Sequence, residues 1–283
     1  MKNNLIFSRN ANNTALCDAD IAHRAPSVFS STIAEHLSDK YRQLRTADLL
    51  PVLADYGYFP TQASQKRTNK NKSPDHAAHM LAFSKATDID EGADGLRPEI
   101  ILYNSHDGSS AVKLYAGAYR FICSNGIVAG DGLASSVYHS NKAMAGFEET
   151  LRHTIDTMPT LMAKIEKMRS VTITDKDRLY AMAKLSVMTR WNWLNNEESR
   201  AGTYANDMTL SRAVSVNRNE DNYQDAWTVF NRIQESVIRG NTMIVSIDKD
   251  GIYRQRKPRP IASVQEYTRI NSQLFSIAEL VSA

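Results

Sequence analysis

The chain has 283 residues and a mass of 31.7 kDa, room for one large domain or two ordinary ones. Hydrophobic residues make up 42% and charged residues 23%, which excludes wholesale disorder and the collagen-like and coiled-coil classes. Lys and Arg number 34 against 31 Asp and Glu, so the net charge is +3, which permits a polyanionic partner without requiring one. No stretch approaches the roughly 18 consecutive apolar residues of a membrane span, and Met1 to Asn13 carries no secretory pattern, so a cytoplasmic protein with no membrane partner is expected. Cys17 and Cys123 lie far apart and match no metal-ligand pair, which excludes a disulfide scaffold.

Residues 1–25 have little periodicity and are expected to form a flexible arm ending at Pro26. From Thr46, a helix with a hydroxyl N-cap, apolar Leu49, Leu50 and Leu53, and a stop at Gly57 is predicted. Tyr58 to Thr68 leads into a basic, polar segment from Gln65 to Pro74 that reads as an exposed hairpin loop, with His76 to Phe83 as the return strand. Residues 86–98 are acidic and glycine-containing and suit a surface loop. A second hairpin follows, its arms 99–103 and 111–123 flanking Asn104-Ser-His-Asp-Gly-Ser-Ser110, with Asp107-Gly108 at the turn and a bulge expected at Gly117.

The remainder reads as helical. Phe147, Leu151, Ile155, Met158, Met162, Ile165 and Met168 recur at three- and four-residue steps, with a kink expected at Pro159. Thr174 with Asp177 is expected to cap a second helix, and Asp221 a third that carries Trp227, Phe230, Ile233 and Val237 and stops at Gly240. Residues 195–219 read as a polar connection. Ser263-Val-Gln-Glu266 is a capping box ahead of Tyr267, Ile270, Leu274, Ile277 and Val281. The expected fold class is therefore α+β: an antiparallel sheet with an N-terminal helix, then a mainly helical C-terminal half. Residues 26–140 form the helix-plus-sheet region and residues 141–283 a helical region packed on it, together one composite domain.

The search for chemistry yields little. Gly126-Ile-Val-Ala-Gly-Asp-Gly132 lacks the Lys-Ser/Thr pair of a phosphate loop, and the histidines are dispersed apart from His76 and His79, which a strand would place on opposite faces. No cofactor and no metal are expected. His106-Asp107 with Cys123 forms the one nucleophile-and-base constellation, although the same residues serve equally as a turn and a buried strand thiol.

Positive charge concentrates in two places: Lys66, Arg67, Lys70 and Lys72, and then Arg254, Arg256, Lys257 and Arg259 beside Tyr253. Such clusters neutralise phosphates and release counterions, and aromatics interleaved with them stack on unpaired bases. Inert solvated loops have the same composition. Asn231, Gln234, Glu235 and Arg239 form a polar stripe on the third predicted helix, suited to a site, a solvated face or an oligomer contact.

Several separated blocks resemble domain-of-unknown-function family 932, phage/plasmid-like proteins. They are Ala25–Phe29, Leu53–Pro60, Ala77–Phe83, Pro98–Ser110, Ala116–Gly126, Trp227–Gly240 and Asn271–Glu279. The motif positions are Asn104, Ser105, His106, Asp107 and Gly108, then Arg120, Cys123, Asn125 and Gly126, then Asn231, Gln234, Glu235, Arg239 and Gly240. Ser236 and Asn241 stand where the family usually has Asn and a second Gly. The resemblance implies a mobile-element setting in a bacterial host cell. Together with the basic loops it leads to the expectation of a non-enzymatic protein that binds single-stranded nucleic acid, DNA in preference, promotes strand annealing and works as a homo-oligomer. The alternatives are an inhibitor of a host defence or restriction protein, using residues 104–110 as its contact surface, and a hydrolytic or cysteine-dependent enzyme using Cys123 and His106.

Overall fold

The computed structural model describes residues 14–68, 73–88, 96–120, 125–128, 134–191, 207–247 and 252–283. They form an α+β protein with an antiparallel sheet after an N-terminal helical segment and a mainly helical C-terminal half. The chain divides into two compact units, Met1–Leu161 and Met162–Ala283, with the boundary inside one long helix.

In the first unit, β1 (Tyr58–Gln65), β2 (His79–Lys85), β3 (Leu96–Asn104) and β4 (Val112–Arg120) run as successive antiparallel neighbours. The far edge of β4 is shared by two short strands. Its second half pairs with β5 (Asn125–Val128) and its first half with β6 (Ala134–Val137). The register sets Ala63, Leu81, Leu102 and Leu114 in one cross-strand row and Phe83, Ile100 and Ala116 in the next, all buried on the same face. Each large side chain enclosed this way contributes about 1.5–3 kcal/mol. Two helices precede the sheet, α1 (Asp18–Arg24) and α2 (Thr46–Asp55). Thr46 bonds His79 and Asn104, so α2 starts on this apolar face, where Leu49 and Leu53 are buried. The opposite face carries Arg97, Glu99, Tyr103, Tyr115 and Tyr119 by alternation.

Several expectations change. The arm expected to be flexible up to residue 25 contains α1, whose Ile21 is fully buried and whose first turn is held by the Cys17 N–H donating to Asp20 Oδ2 at 3.2 Å. The N-cap of α2 is Arg45, and the Thr46 hydroxyl turns inward to His79 instead. His76 sits in a short 3-10 turn ahead of β2, and β3 begins at Leu96, inside the expected acidic loop. Gly117 pairs regularly with Glu99; the bulge lies in β1 between Pro60 and Gln62. A proline has no ladder N–H to donate, which makes that interruption physical.

The long helix α3 (Ala143–Ser170) contains Pro159. The second unit adds α4 (Lys176–Arg190), α5 (Asp207–Ala213), α6 (Ala226–Arg239), the hairpin of β7 (Ile244–Ile247) and β8 (Tyr253–Arg256), and α7 (Val264–Val281). Asp175 caps α4 and Asp225 caps α6, each one to four residues from the expected cap. Ser263 caps α7 as expected, accepting the Glu266 N–H at 3.3 Å. The helix α5 and the β7–β8 hairpin were not foreseen. Phe230 meets Phe275 edge-to-face at 5.9 Å between centroids, which anchors α6 on α7.

Gly240 ends α6 in the left-handed conformation, φ +68°, and a Cβ there would lie 2.3 Å from the Pro258 carbonyl oxygen. Gly240→Ala is expected to cost about 2–4 kcal/mol, since the residue meets both a strained φ and unyielding backbone. Gly57, at φ +78° with open space around it, is the control. Gly57→Ala should cost only about 1–2 kcal/mol. Urea midpoints of the two variants check the difference.

Candidate functional site

The Asn-Ser-His-Asp-Gly block closes the β3–β4 hairpin, and its first three residues are fully buried. The Asn104 amide nitrogen lies 3.1 Å from Leu44 O, 2.9 Å from Thr46 Oγ1 and 3.2 Å from His106 Nε2, while its Oδ1 accepts the Ser105 N–H at 2.7 Å. Thr46 Oγ1 meets His79 Nε2 at 2.7 Å, and His79 Nδ1 lies 2.7 Å from Ser27 Oγ and 3.0 Å from Ala77 O. Ser27 N–H in turn donates to Gln65 Oε1 at 2.8 Å. The rings of His79 and His106 meet edge-on at 5.0 Å. The turn beyond is also bonded: Ser105 Oγ donates to Asp107 Oδ1, the Ser109 N–H donates to the same oxygen at 3.0 Å, and Gly108 adopts φ +74°.

Five of the seven histidines anchor residues 27–46 to the sheet and its turns or lie in the same network. His36 Nε2 donates to Asp107 O at 3.0 Å, His76 Nε2 meets Thr32 Oγ1 at 2.9 Å, and His139 Nδ1 accepts the Leu44 N–H at 2.9 Å. That last bond places the neutral His139 proton on Nε2. Burial lowers His79 to about 4. Burial and then the neighbouring His79 lower His106 to about 3. Both rings are therefore neutral at pH 7, and among the described residues no carboxylate bonds either ring as a base orienter would. Burial raises the Asp107 carboxyl, but hydrogen bonds from Ser105 and Ser109 outweigh it and the net direction is down.

A second buried polar network surrounds α6. Every residue from Ala226 to Ile238 is buried, so the expected polar stripe is not a solvated face. Asn231 donates to Trp227 O at 2.7 Å, and Gln234 Nε2 donates to Asn271 Oδ1 at 2.6 Å on α7. Arg218 grips Glu235 with two N–H groups at 2.5 and 2.6 Å and reaches Asp221 at 3.1 Å. Arg239 lies 3.9 Å from Glu235, and Asn241 donates to it at 3.2 Å. The charge pair ties residues 218–221 to the helix in the fork geometry that carboxylates favour.

The basic clusters fall in different units. Lys66 and Arg67 are exposed just after β1, where the Lys66 N–H donates to Ala78 O at 2.8 Å; Lys70 and Lys72 lie outside the described residues. The second cluster begins within β8, whose register sets Arg254 opposite Ser246 and Arg256 opposite Ile244, with Tyr253 opposite Ile247, and continues past its end. The backbone then runs along the C-terminal end of α6. The Ile261 N–H donates to Ile238 O at 2.9 Å, and Arg190, stacked 4.8 Å over Trp191, donates to Val237 O and Arg259 O. These bonds satisfy carbonyls that a helix end leaves open. Pro258 is buried while Arg256, Lys257 and Arg259 are exposed, and none of the three has an acidic partner among the described residues.

Of the remaining motif positions, Arg120 is buried at the end of β4, opposite Leu96 and Asn125, and Gly126 pairs with Tyr119. Cys123 lies outside the described residues, and its supposed partner His106 is enclosed. The sequence reading missed His79, Thr46, Ser27, His139, Arg190, Arg218 and Asn271. His79, directly after Ala77 and Ala78, lies in a family-like block, as do Ser27 and Asn271; Thr46 reads only as a helix cap, and His139, Arg190 and Arg218 carry no signal.

The histidine-anchored hairpin and the αL-capped polar helix place the family-like blocks in two buried networks of an α+β protein. The chain belongs to the family described as a domain of unknown function, DUF932, whose model matches residues 34–273. It is 30% identical over 255 residues to the UPF0380 protein YfjQ of Escherichia coli (strain K12), covering 90% of this chain and 87% of that protein. The UPF0380 protein YafZ of the same organism matches with the same identity and coverage. No solved structure matches the chain. Among the described residues, no helix is long and apolar enough to cross a membrane and no cluster of three or more His, Cys, Asp or Glu could hold a metal ion.

Proposed function

We propose that the protein binds single-stranded nucleic acid, DNA in preference, through its cationic segments. One observation carries this reading. Arg256, Lys257 and Arg259 project from a backbone that Arg190 and Ile261 bond to α6 and that passes close to Gly240, so three cations with no acidic partner among the described residues are displayed on a fixed support. Fixed cations lose little conformational entropy on meeting phosphates, and each phosphate neutralised releases counterions. The buried network around α6, in the same unit, fits a scaffold for this display better than a reaction centre. A contact surface spanning 104–110 is disfavoured, since Asn104, Ser105 and His106 turn inward and leave only 107–110 for a partner.

The test is fluorescence anisotropy with nuclease-treated protein and labelled single-stranded and duplex oligonucleotides at several salt concentrations. A triple variant, Arg256→Glu, Lys257→Glu and Arg259→Glu, is expected to weaken single-strand binding at least tenfold and flatten the salt slope by about two to three phosphate contacts. Unchanged affinity and slope in that variant would remove the basis for this reading.

A further inference from the structure

We infer that the outer edge of β8 is a docking site for an extended acidic peptide, which joins the β7–β8 hairpin as a third strand. The inference goes beyond the proposed nucleic-acid contact, because it concerns the backbone of β8 and a protein partner.

Bonds on the far side of the hairpin fix the orientation of β8. The Thr209 hydroxyl of α5 accepts the Val245 N–H at 3.0 Å and donates to the Val245 carbonyl at 3.4 Å, so both backbone groups of Val245 point away from β8. In an antiparallel ladder a residue's N–H and C=O leave on the same side, and directly opposite residues exchange either both bonds or neither. Val245 stands opposite Gln255, so that pair exchanges none, and the ladder bonds fall on Ile244 with Arg256 and on Ser246 with Arg254. The backbone groups of Gln255 and, two residues earlier, of Tyr253 therefore point away from β7. Gln255 is exposed, and among the described residues neither backbone bonds any segment beyond the hairpin. Thr209 thus closes the β7 edge, while the β8 edge is open.

Chemistry and charge choose the occupant. A phosphodiester accepts the outward N–H groups but offers nothing to the outward carbonyls, whereas an extended peptide pairs with both. Arg256, Lys257 and Arg259 are exposed with no acidic partner among the described residues, and they continue the strand directly. Acidic side chains on an added strand would face them, the cross-strand pairing that opposite charges favour. Nearby carboxylates are accounted for. Glu266 is held by Arg269 at 2.6 Å, and Asp248 and Asp250 of the hairpin loop lie outside the described residues. Arg256 stands three residues, about 10 Å, beyond the loop end of β8. A second copy of this chain suits the edge poorly: antiparallel self-pairing centred on Gln255 or on Arg254 sets arginine opposite arginine, and like charges in that position are destabilising.

Anisotropy of a fluorescein-labelled peptide of alternating Glu and Val with the full chain at low salt, joined to hydrogen exchange of the complex, tests the edge. The peptide is expected to bind and to protect the Gln255 and Tyr253 amides, and the same peptide with Lys in place of Glu is expected not to bind. Gln255→Pro removes an outward N–H without touching the ladder, a position where edge strands tolerate proline. It should weaken the peptide about five- to tenfold, whereas Gln255→Ala, which keeps the N–H, should bind as wild type does. Absence of peptide binding, a complex that leaves the Gln255 amide unprotected, or a folded Gln255→Pro that binds as tightly as wild type would each overturn the inference. An oligodeoxythymidine that protects the Gln255 amide where the peptide does not would assign the edge to nucleic acid instead. Should Gln255→Pro fail to fold, amide protection in the wild type decides.

Discussion

Arg97→Met is expected to cost about 3–5 kcal/mol in unfolding free energy at pH 7, since it strands a buried carboxylate. Arg97 and Glu99 stand two apart on one face of β3, nearly inaccessible, with Arg97 Nη2 donating to Glu99 Oε1 at 2.8 Å and Nε at 3.2 Å. The guanidinium also lies 5.1 Å over the Tyr119 ring, and Thr61 Oγ1 reaches the carboxylate at 3.4 Å. Burial raises the Glu99 carboxyl and the Arg97 charge pulls it back, with burial prevailing. Without Arg97 the carboxyl must rise further and fold protonated. A carboxyl raised above its unfolded value contributes most stability at low pH and loses it as pH rises, so the variant's deficit should be smaller at pH 5 than at pH 8. Arg97→Met with Glu99→Leu removes both charges and should recover most of the loss, because an apolar pair of similar volume is often no worse than a buried ion pair. Urea unfolding of the wild type, both single variants and the double variant at two pH values reads the coupling. Equal instability of the single and double variants would show that the pair is not the cause.

The second large effect is acid lability set by the histidine network. His79 sits at about 4 when folded and near 6.5 when unfolded, so between those values the unfolded chain binds the extra proton. Stability attached to neutral His79 is complete above pH 6.5 and is lost as pH falls towards 4, by about 3 kcal/mol in all. His106, at about 3, acts in the same direction. Protonated His79 could no longer accept from Thr46, and the bonds linking residues 27–46 to β2 and β3 would fail together. His79→Gln, which keeps a donor and an acceptor, is expected to be less stable than wild type at pH 7 but to lose less on going from pH 6.5 to 4.5. Carboxylates shared by both proteins cancel in that comparison. Hydrogen exchange should show amides of residues 27–46 opening first on acidification. A parallel pH dependence in wild type and variant would refute the role given to His79.

Local signals were legible where the physics is local. Ser263 and Glu266 announce α7, Gly240 announces the end of α6, and Asp107-Gly108 announces the β3–β4 turn, since each is a contact within a few residues. The caps of α4 and α6 shifted because several Asp and Thr residues compete within one turn, and only the docked helix chooses among them. With seven residues in α1, seven in α5 and four in each of β7 and β8, these elements are too short for a periodic window to register.

The candidate site divides in the same way. Charge density at Arg254–Arg259, the antiparallel hairpins and the helical second half follow from composition and spacing along the chain. The histidine network, the buried Arg97–Glu99 and Arg218–Glu235 pairs and the Leu44–His139 bond do not. His79 meets Asn104 because β2 and β3 pair in one register, and a slip of one residue would turn His79 to the opposite face. Leu44 reaches His139 across 95 residues. Such contacts depend on how elements stack, a property of tertiary structure that no local pattern encodes. The sequence alone determined which segments could form helices, hairpins and cationic loops. Tertiary packing alone decided which polar residues became buried anchors and which cations lie exposed among the described residues.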